Sequence, residues 1–424
     1  MRTLLLLWLF VAPSADTLQV MFWNVENFFD WRNDSTTVSD VEFSAAGERH
    51  WTWKRFQAKA NAFAKAVFWT EAETGRLPDI IGLEEVENAF VLRQVLQKTA
   101  LRKLDYQYVH YDSPDHRGID VALLYRSSRL ELIDSKPCHL YAADSVMATR
   151  DILLCVFQRA RTSIISAPPS TVQPDLLSSA QPGSPSTVMP DPDRASIPTF
   201  QEIPGQAGND GRGHVRNDGR GQAGNDGKDR VKNDGKAEKD GKDGTFAVLV
   251  NHHPSKYGGA AESEPRRRIA VERLRFLADS LVDVGIDRII AGGDFNDTPD
   301  NPVFRLLEPA LAPMHMDLFR RGLGTIKYDG KWDLIDHIYV SPALLDAPMS
   351  VPASDSSLGV TGRQEDTVGA PSDRARMRIL RIPFLLTRDT VHSGEKPLRT
   401  YTGPRHTGGV SDHLPVLLEV PLPP

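Results

Sequence analysis

Short apolar runs rich in β-branched and aromatic residues alternate along this chain with longer stretches in which apolar residues recur every three or four positions. The runs at 18–23, 80–83, 121–125, 152–157, 246–251, 289–291, 335–340 and 415–420 have strand length and read as strands. Residues 53–73 and 264–284 read as helices, the second placing Ile269, Leu274, Leu277 and Leu281 on one stripe. Strands interleaved with helices predict an α/β architecture. No strand leads into a Gly-rich phosphate loop, which argues against a dinucleotide-binding domain.

Two stretches break the pattern. Residues 161–244 are rich in Pro and Ser, then in Gly, Asn, Asp and Lys, with Asn-Asp-Gly recurring at Asn209, Asn217, Asn225 and Asn233. Such a composition cannot bury enough apolar surface to offset its ordering entropy, so a disordered insertion is expected. A calcium-binding β-roll needs nine-residue repeats with an apolar position; these steps of eight lack it. Residues 351–374 read as a smaller insertion. The remainder, 16–424, is expected to form one domain around these two interruptions.

Residues 1–15 join one basic residue to the apolar run 4–11 and then to small residues, the layout of an export signal, which implies a periplasmic or extracellular protein. The run is shorter than the ~20 residues that cross a bilayer, so no membrane span is expected. Cys138 and Cys155 flank a segment able to form a hairpin; the burial habit of cysteine favours two buried free thiols, and a bridge, which an oxidising compartment would permit, is the alternative. Of the 424 residues, 40% are hydrophobic and 25% charged, which suits a globular protein with a substantial core. A net charge of -6 gives no global attraction to polyanions, so any such partner needs a local patch.

Strand after strand ends in acids, amides or histidines. Asn24 and Glu26 follow the first run, and Glu84, Glu85 and Glu87 the second. Asn251, His252 and His253 end a third, and Asp294, Asn296 and Asp297 a fourth. Asp336, then Asp412 and His413, accompany the last two. One acid at a strand end is ordinarily a turn former or helix cap. Six clusters in one chain point to a common mouth. Oxygen-rich donors with few histidines favour Mg²⁺, with Mn²⁺ or Ca²⁺ possible, over zinc, whose Cys and His spacings are missing. A hard cation beside histidine bases suits phosphoester hydrolysis, whereas serine acyl chemistry lacks its Gly-x-Ser-x-Gly elbow.

Taken in order, WNVEN, IIGLEEVEN, RGIDVALLY, TRD, VNHHPSK, GGDFND, LIDHIYVS and SDHLP resemble the endonuclease/exonuclease/phosphatase superfamily. NVENFFD and KPLRTYTG before GGVSDHLPV resemble a bacterial, often exported branch of it. The resemblance implies a four-layer α/β sandwich, two mostly antiparallel sheets with helices outside. It implies that Glu85 is the principal metal ligand, with Asn24 near it and Asp412 joining. Asp294 would position or deprotonate water, and Asn296 would hold the phosphate. His413, oriented by Asp336, would meet a phosphoryl oxygen or act as base. His252 would be the general acid, His253 part of the wall, and Arg150 a phosphate clamp. A monomeric, divalent-metal-dependent phosphodiesterase acting on nucleic acid is the expectation. Phosphomonoester or phospholipid head-group hydrolysis, and a non-catalytic binding module, are the alternatives.

Overall fold

The computed structural model describes residues 17–33, 37–160, 244–256, 259–345 and 375–421. These belong to one compact unit drawn from Met1–Ala160 and Arg230–Pro424. The export segment 1–15 and the insertion 351–374 lie outside the described residues, as does the insertion 161–244 up to Gly244.

Each of the eight apolar runs forms a strand, and four further strands complete the two sheets. In chain order the strands of the sheets are β1 (Thr17–Phe28), β2 (Ile80–Val86), β3 (Tyr106–His110), β4 (Asp120–Arg126), β5 (Leu130–Cys138), β6 (Ile152–Arg159) and β7 (Phe246–His252). They continue with β8 (Ile289–Asp294), β9 (Ala312–Pro313), β10 (Asp336–Val340), β11 (Arg376–Ile379) and β12 (Val416–Pro421). One six-stranded sheet has the order β11-β12-β1-β2-β4-β3, the other β9-β10-β8-β7-β6-β5. Among the described residues of these sheets, β1 with β2 and β7 with β8 are the parallel pairs. The remaining pairs are antiparallel.

Alternation along the strands explains the layering, because successive side chains leave a strand on opposite faces. Val20, Phe22, Leu123, Val250, Ile290 and Leu418 meet in the core between the sheets. Their neighbours Met21, Trp23, Leu83 and Leu417 face the other way, onto helix α1 (Trp53–Thr74). That helix buries Phe56, Ala60, Phe63, Ala64 and Val67, a helical stripe, and it ends at Gly75, whose φ of 79° suits only glycine well. Leu249 and Ala291 point out of the second sheet onto Leu274, Ala278 and Leu281 of α3 (Ala260–Asp283). A shorter helix, α2 (Ala89–Lys98), capped by the Asn88 side chain on Val91 N, covers the first sheet beside α1. The four-layer α/β sandwich is therefore as expected.

The sheets approach closely where Phe22 lies between Gly82 and Gly292. A Cβ at Gly82 would come within 2.5 Å of the Phe22 ring, and one at Gly292 within 2.4 Å. Full burial of such a ring stabilises by about 1.5–3 kcal/mol.

The cysteines follow the favoured reading of two buried thiols. In the β5–β6 ladder Ser135, not Cys138, lies opposite Cys155, and Cys138 lies opposite Ile152. Cys155 packs between the sheets while Cys138 faces the outer core, so both are buried and neither joins a disulfide. Helix α3 also starts before the expected 264, carrying Pro265 inside it at the cost of a backbone hydrogen bond.

Candidate active site

The ends of β1, β2, β7 and β8 and the start of β10 share one edge of the sandwich. Across the second sheet, Asp294 pairs with His252 on one side and Asp336 on the other, so three functional side chains form a row. Across the first, Asn24 pairs with Glu84. The loop before β12 adds Asp412 and His413; two bonds pin it to β1 and a third braces it internally. Trp23 Nε1 donates to the His413 carbonyl at 3.0 Å, Ser411 Oγ to the Asn24 carbonyl at 2.6 Å, and His413 N to Ser411 Oγ at 2.9 Å.

Backbone irregularity aims the ligands. Register slips between Glu84 and Val86, where Glu85 takes a φ of 64°, so Glu84 and Glu85 do not simply alternate. Glu26 and Asn27 form a similar break in β1 with φ of 46° and 50°, and Asn296 follows β8 with φ 53°. Such positions cost of order 1–3 kcal/mol each and persist where surroundings over-determine them. Glycine makes room too: a Cβ on Gly293 would sit 2.8 Å from Glu84 Oε1.

His413 Nδ1 donates to Asp336 at 2.9 and 3.1 Å, which fixes the ring and leaves Nε2 facing the cleft, 3.9 Å from Asp294 Oδ2. Burial opposes charge on this ring, yet Asp336 and Asp294 outweigh it and hold the imidazolium well above its ordinary pKa. Asp294 is itself pushed up to about 7, by burial first, against the pull of His413 and with Asp336 adding. Its Oδ2 accepts Asn24 Nδ2 at 3.0 Å and Asn296 Nδ2 at 3.1 Å, and its Oδ1 accepts Asn296 N at 2.8 Å. His252 Nε2 stands 3.6 Å from Asp294 Oδ2 and 3.9 Å from Glu85 Oε1. Burial, then Arg150 and Arg117, hold His252 well below the usual imidazole range.

Asn24, Glu85, His252, Asp294, Asn296, Asp336 and His413 are thus brought together. Four expected roles change. Asn296 spends its amide hydrogens on Asp294 and on the His253 carbonyl at 3.0 Å, so it positions Asp294 rather than offering a free donor to phosphate. His252 is a neutral ring, suited to donating a hydrogen bond more than a whole proton. Asp412 meets Arg399 at 3.0 Å, and Arg399 also holds Glu26 at 2.9 Å, so its partner is a guanidinium. Arg150 is buried, with Nη1 on Asp115 at 3.0 Å and Nη2 on the His253 carbonyl at 2.7 Å, a brace between loops. His253 does form wall, its ring 4.4 Å from that of Phe295.

Sequence reasoning left Glu84, Lys59 and Arg399 without roles. Glu84 is fully buried and neither carboxylate oxygen has a hydrogen-bond partner. Burial, then Asp336 and Asp294, hold it well above the carboxylic range. Lys59, buried on α1, donates to the Glu26 carbonyl and to Thr400 Oγ1 at 2.9 Å beneath the acids. The Glu-Glu doublet and the Arg of KPLRTYTG were the available signals.

The donor set fits a hard divalent cation. Glu84, Glu85, Asp294 and Asp336 converge with the Asn24 amide, and ligand atoms of Asp294, Asp336 and His413 lie within 4.8 Å of one another. Buried like charges at this density call for a cation.

A sequence profile of the Endonuclease/Exonuclease/phosphatase family matches residues 19–165 and 222–353, about two thirds of the chain. No curated protein matches the sequence. Among solved structures, the human Nocturnin catalytic domain with bound sulfate anion is similar at 14% identity and a TM-score of 0.45, over 96% of this chain and 94% of that one. An endonuclease/exonuclease/phosphatase family protein of Bacteroides thetaiotaomicron is similar at 14% and 0.45, over 95% and 97%. A mannosyl-6-phosphatase of Bacteroides thetaiotaomicron VPI-5482 is similar at 12% and 0.43, over 95% and 99%.

Proposed function

Because the chain belongs to the endonuclease/exonuclease/phosphatase family, whose members are divalent-metal-dependent phosphoester hydrolases, we propose that it hydrolyses phosphodiester bonds, with nucleic acid as the substrate class and Mg²⁺ as the metal. The observation that carries the reading is the row His252–Asp294–Asp336 facing His413. It sets a buried acid with a pKa of about 7 between a charged and a neutral imidazole.

Asn24, Glu85 and Asp294 are the residues that would hold the cation, which supplies charge neutralisation at the phosphoryl oxygens. Asp294, poised near neutrality and held by Asn24 and Asn296, orients the attacking water and takes its proton. His413, kept as imidazolium by Asp336, donates from Nε2 to a phosphoryl oxygen or the departing oxygen. His252 adds a neutral N–H on the opposite side of Asp294, and Arg150 holds the loop that carries it. The apolar run 4–11 supports export of the protein. The test is purified protein against plasmid DNA, RNA, bis(p-nitrophenyl) phosphate and p-nitrophenyl phosphate with Mg²⁺, Mn²⁺ or chelator. Diester hydrolysis that needs the metal supports the proposal; monoester hydrolysis alone refutes its substrate class.

A further inference from the structure

A cavity of about 720 Å³ is lined in part by Pro254 and Ser255, the residues that follow His252 and His253 in the chain. Its volume suits a ligand larger than a bare phosphate, since pockets of ~300–1,000 Å³ hold nucleotide-sized molecules. Its lining includes the apolar Met147 and, from α3, Pro265 and Ile269; it also includes Arg117, Arg150 and, from α3, Arg266, and among the described residues that line it there is no acid. A local excess of cations in a chain of net charge -6 marks a place for an anion.

The cations differ in how far they are committed. Arg150 ties the cavity to the site, because the His253 carbonyl that receives its Nη2 also receives Asn296 Nδ2. The Asp115 carboxylate takes Arg150 at 3.0 Å and leaves Arg117 at 3.9 Å, outside hydrogen-bond distance. Arg266 is exposed on the cavity rim.

We infer that this cavity is the subsite for a nucleotide unit flanking the scissile phosphate, its own phosphate lying against Arg117 and Arg266 and its base against Met147, Pro265 and Ile269. Guanidinium forks match phosphate oxygens, and a base needs only a flat apolar wall to lose water. The inference rests on the phosphodiesterase reading and deepens it: the substrate extends past the bond that is cut.

The experiment compares wild type with Arg266→Ala and Arg117→Ala on pentathymidylate and on bis(p-nitrophenyl) phosphate, which has no flanking phosphate. Each variant is expected to lower the ratio of kcat/KM on the first to that on the second by about tenfold, the weight of one charge-assisted phosphate contact. Anisotropy of labelled pentathymidylate in chelator, where turnover stops, should show weaker binding and a salt dependence shallower by about 0.7 per lost contact. Ratios within about twofold of wild type, with unchanged salt dependence, overturn the subsite. A wild-type protein that hydrolyses bis(p-nitrophenyl) phosphate but neither binds nor cuts pentathymidylate also overturns it, and leaves diester chemistry standing. Hydrolysis of neither diester overturns the proposed function itself.

Discussion

Replacing Asp336 by Asn removes one charge and leaves nearly the same shape, which isolates what that carboxylate does for His413. In the native site His413 Nδ1 donates to both carboxylate oxygens, at 2.9 and 3.1 Å, and Asp336 is the main opposite charge holding the imidazolium. A hydrogen bond to a charged partner is worth about 1.5–3 kcal/mol, and each ~1.36 kcal/mol is tenfold in rate, so kcat should fall about 10- to 150-fold. The sign of the pH effect follows from the charge. The His413 pKa is raised in the native protein, so a donor role is complete below that pKa and lost as pH rises through it. Asp336→Asn lowers the pKa, and the alkaline limb of kcat against pH must move to lower pH. Stability should change little, because the loss of the charged hydrogen bond to His413 is offset by relief of the crowding through which Asp336 raises the pKa of both Asp294 and Glu84. The assay is kcat and KM on bis(p-nitrophenyl) phosphate across pH, with thermal melts alongside. Native kcat with an unmoved alkaline limb would refute the reasoning; a lost fold would refute the claim that Asp336 crowds its neighbours.

Glu84→Gln should stabilise the protein in chelator increasingly as pH rises above about 4.5, because the buried acid binds its proton more tightly folded than unfolded and that advantage is spent as the pH climbs; denaturant melts at pH 5 and 8 with equal differences from wild type would contradict it. His253 and His315 are buried with pKa values lowered to about 3 and about 4. Their contribution is therefore present above the unfolded value of about 6.5 and drains away as pH falls toward those folded values, on the order of 2 kcal/mol each at pH 5. His315→Gln should accordingly flatten the acid limb of a stability curve, and an unaltered limb would count against it. Arg399→Met leaves Glu26 and Asp412 without the guanidinium they share; Arg399 is half exposed, so screening keeps the loss to the order of 1 kcal/mol. A thermal melt in chelator reads that loss, and a variant as stable as wild type there would show the pairing to be inert.

The strands that build the site were legible because each is buried on both faces and reads as a continuous apolar run, as in Val248–Leu249–Val250 or Ile289–Ile290. Strand β5 was not, since it is an edge strand with Pro137, a register slip and a half-exposed mixed pattern. Helix α2 is only ten residues long and gave periodicity little room. Motif strings brought out the residues that gather at the mouth, yet could not show how their hydrogen bonds are spent. Asn296 looks like a free amide in GGDFND, and only the fold turns its Nδ2 onto the His253 carbonyl. The ladder also decides between the two cysteine readings: a three-residue offset puts the two thiols on opposite faces of the sheet, which leaves them unbridged. Lys59 and Arg399 reach the acids from α1 and from the segment before β12, separations that no local pattern encodes.

Metal dependence tests the central claim most directly. Hydrolysis of bis(p-nitrophenyl) phosphate by chelator-treated wild type should be absent, return on titration with Mg²⁺ or Mn²⁺, and require a higher metal concentration in Glu85→Gln. Turnover that persists in chelator, or a Glu85→Gln titration that overlays wild type, would contradict a cation held among Asn24, Glu85 and Asp294.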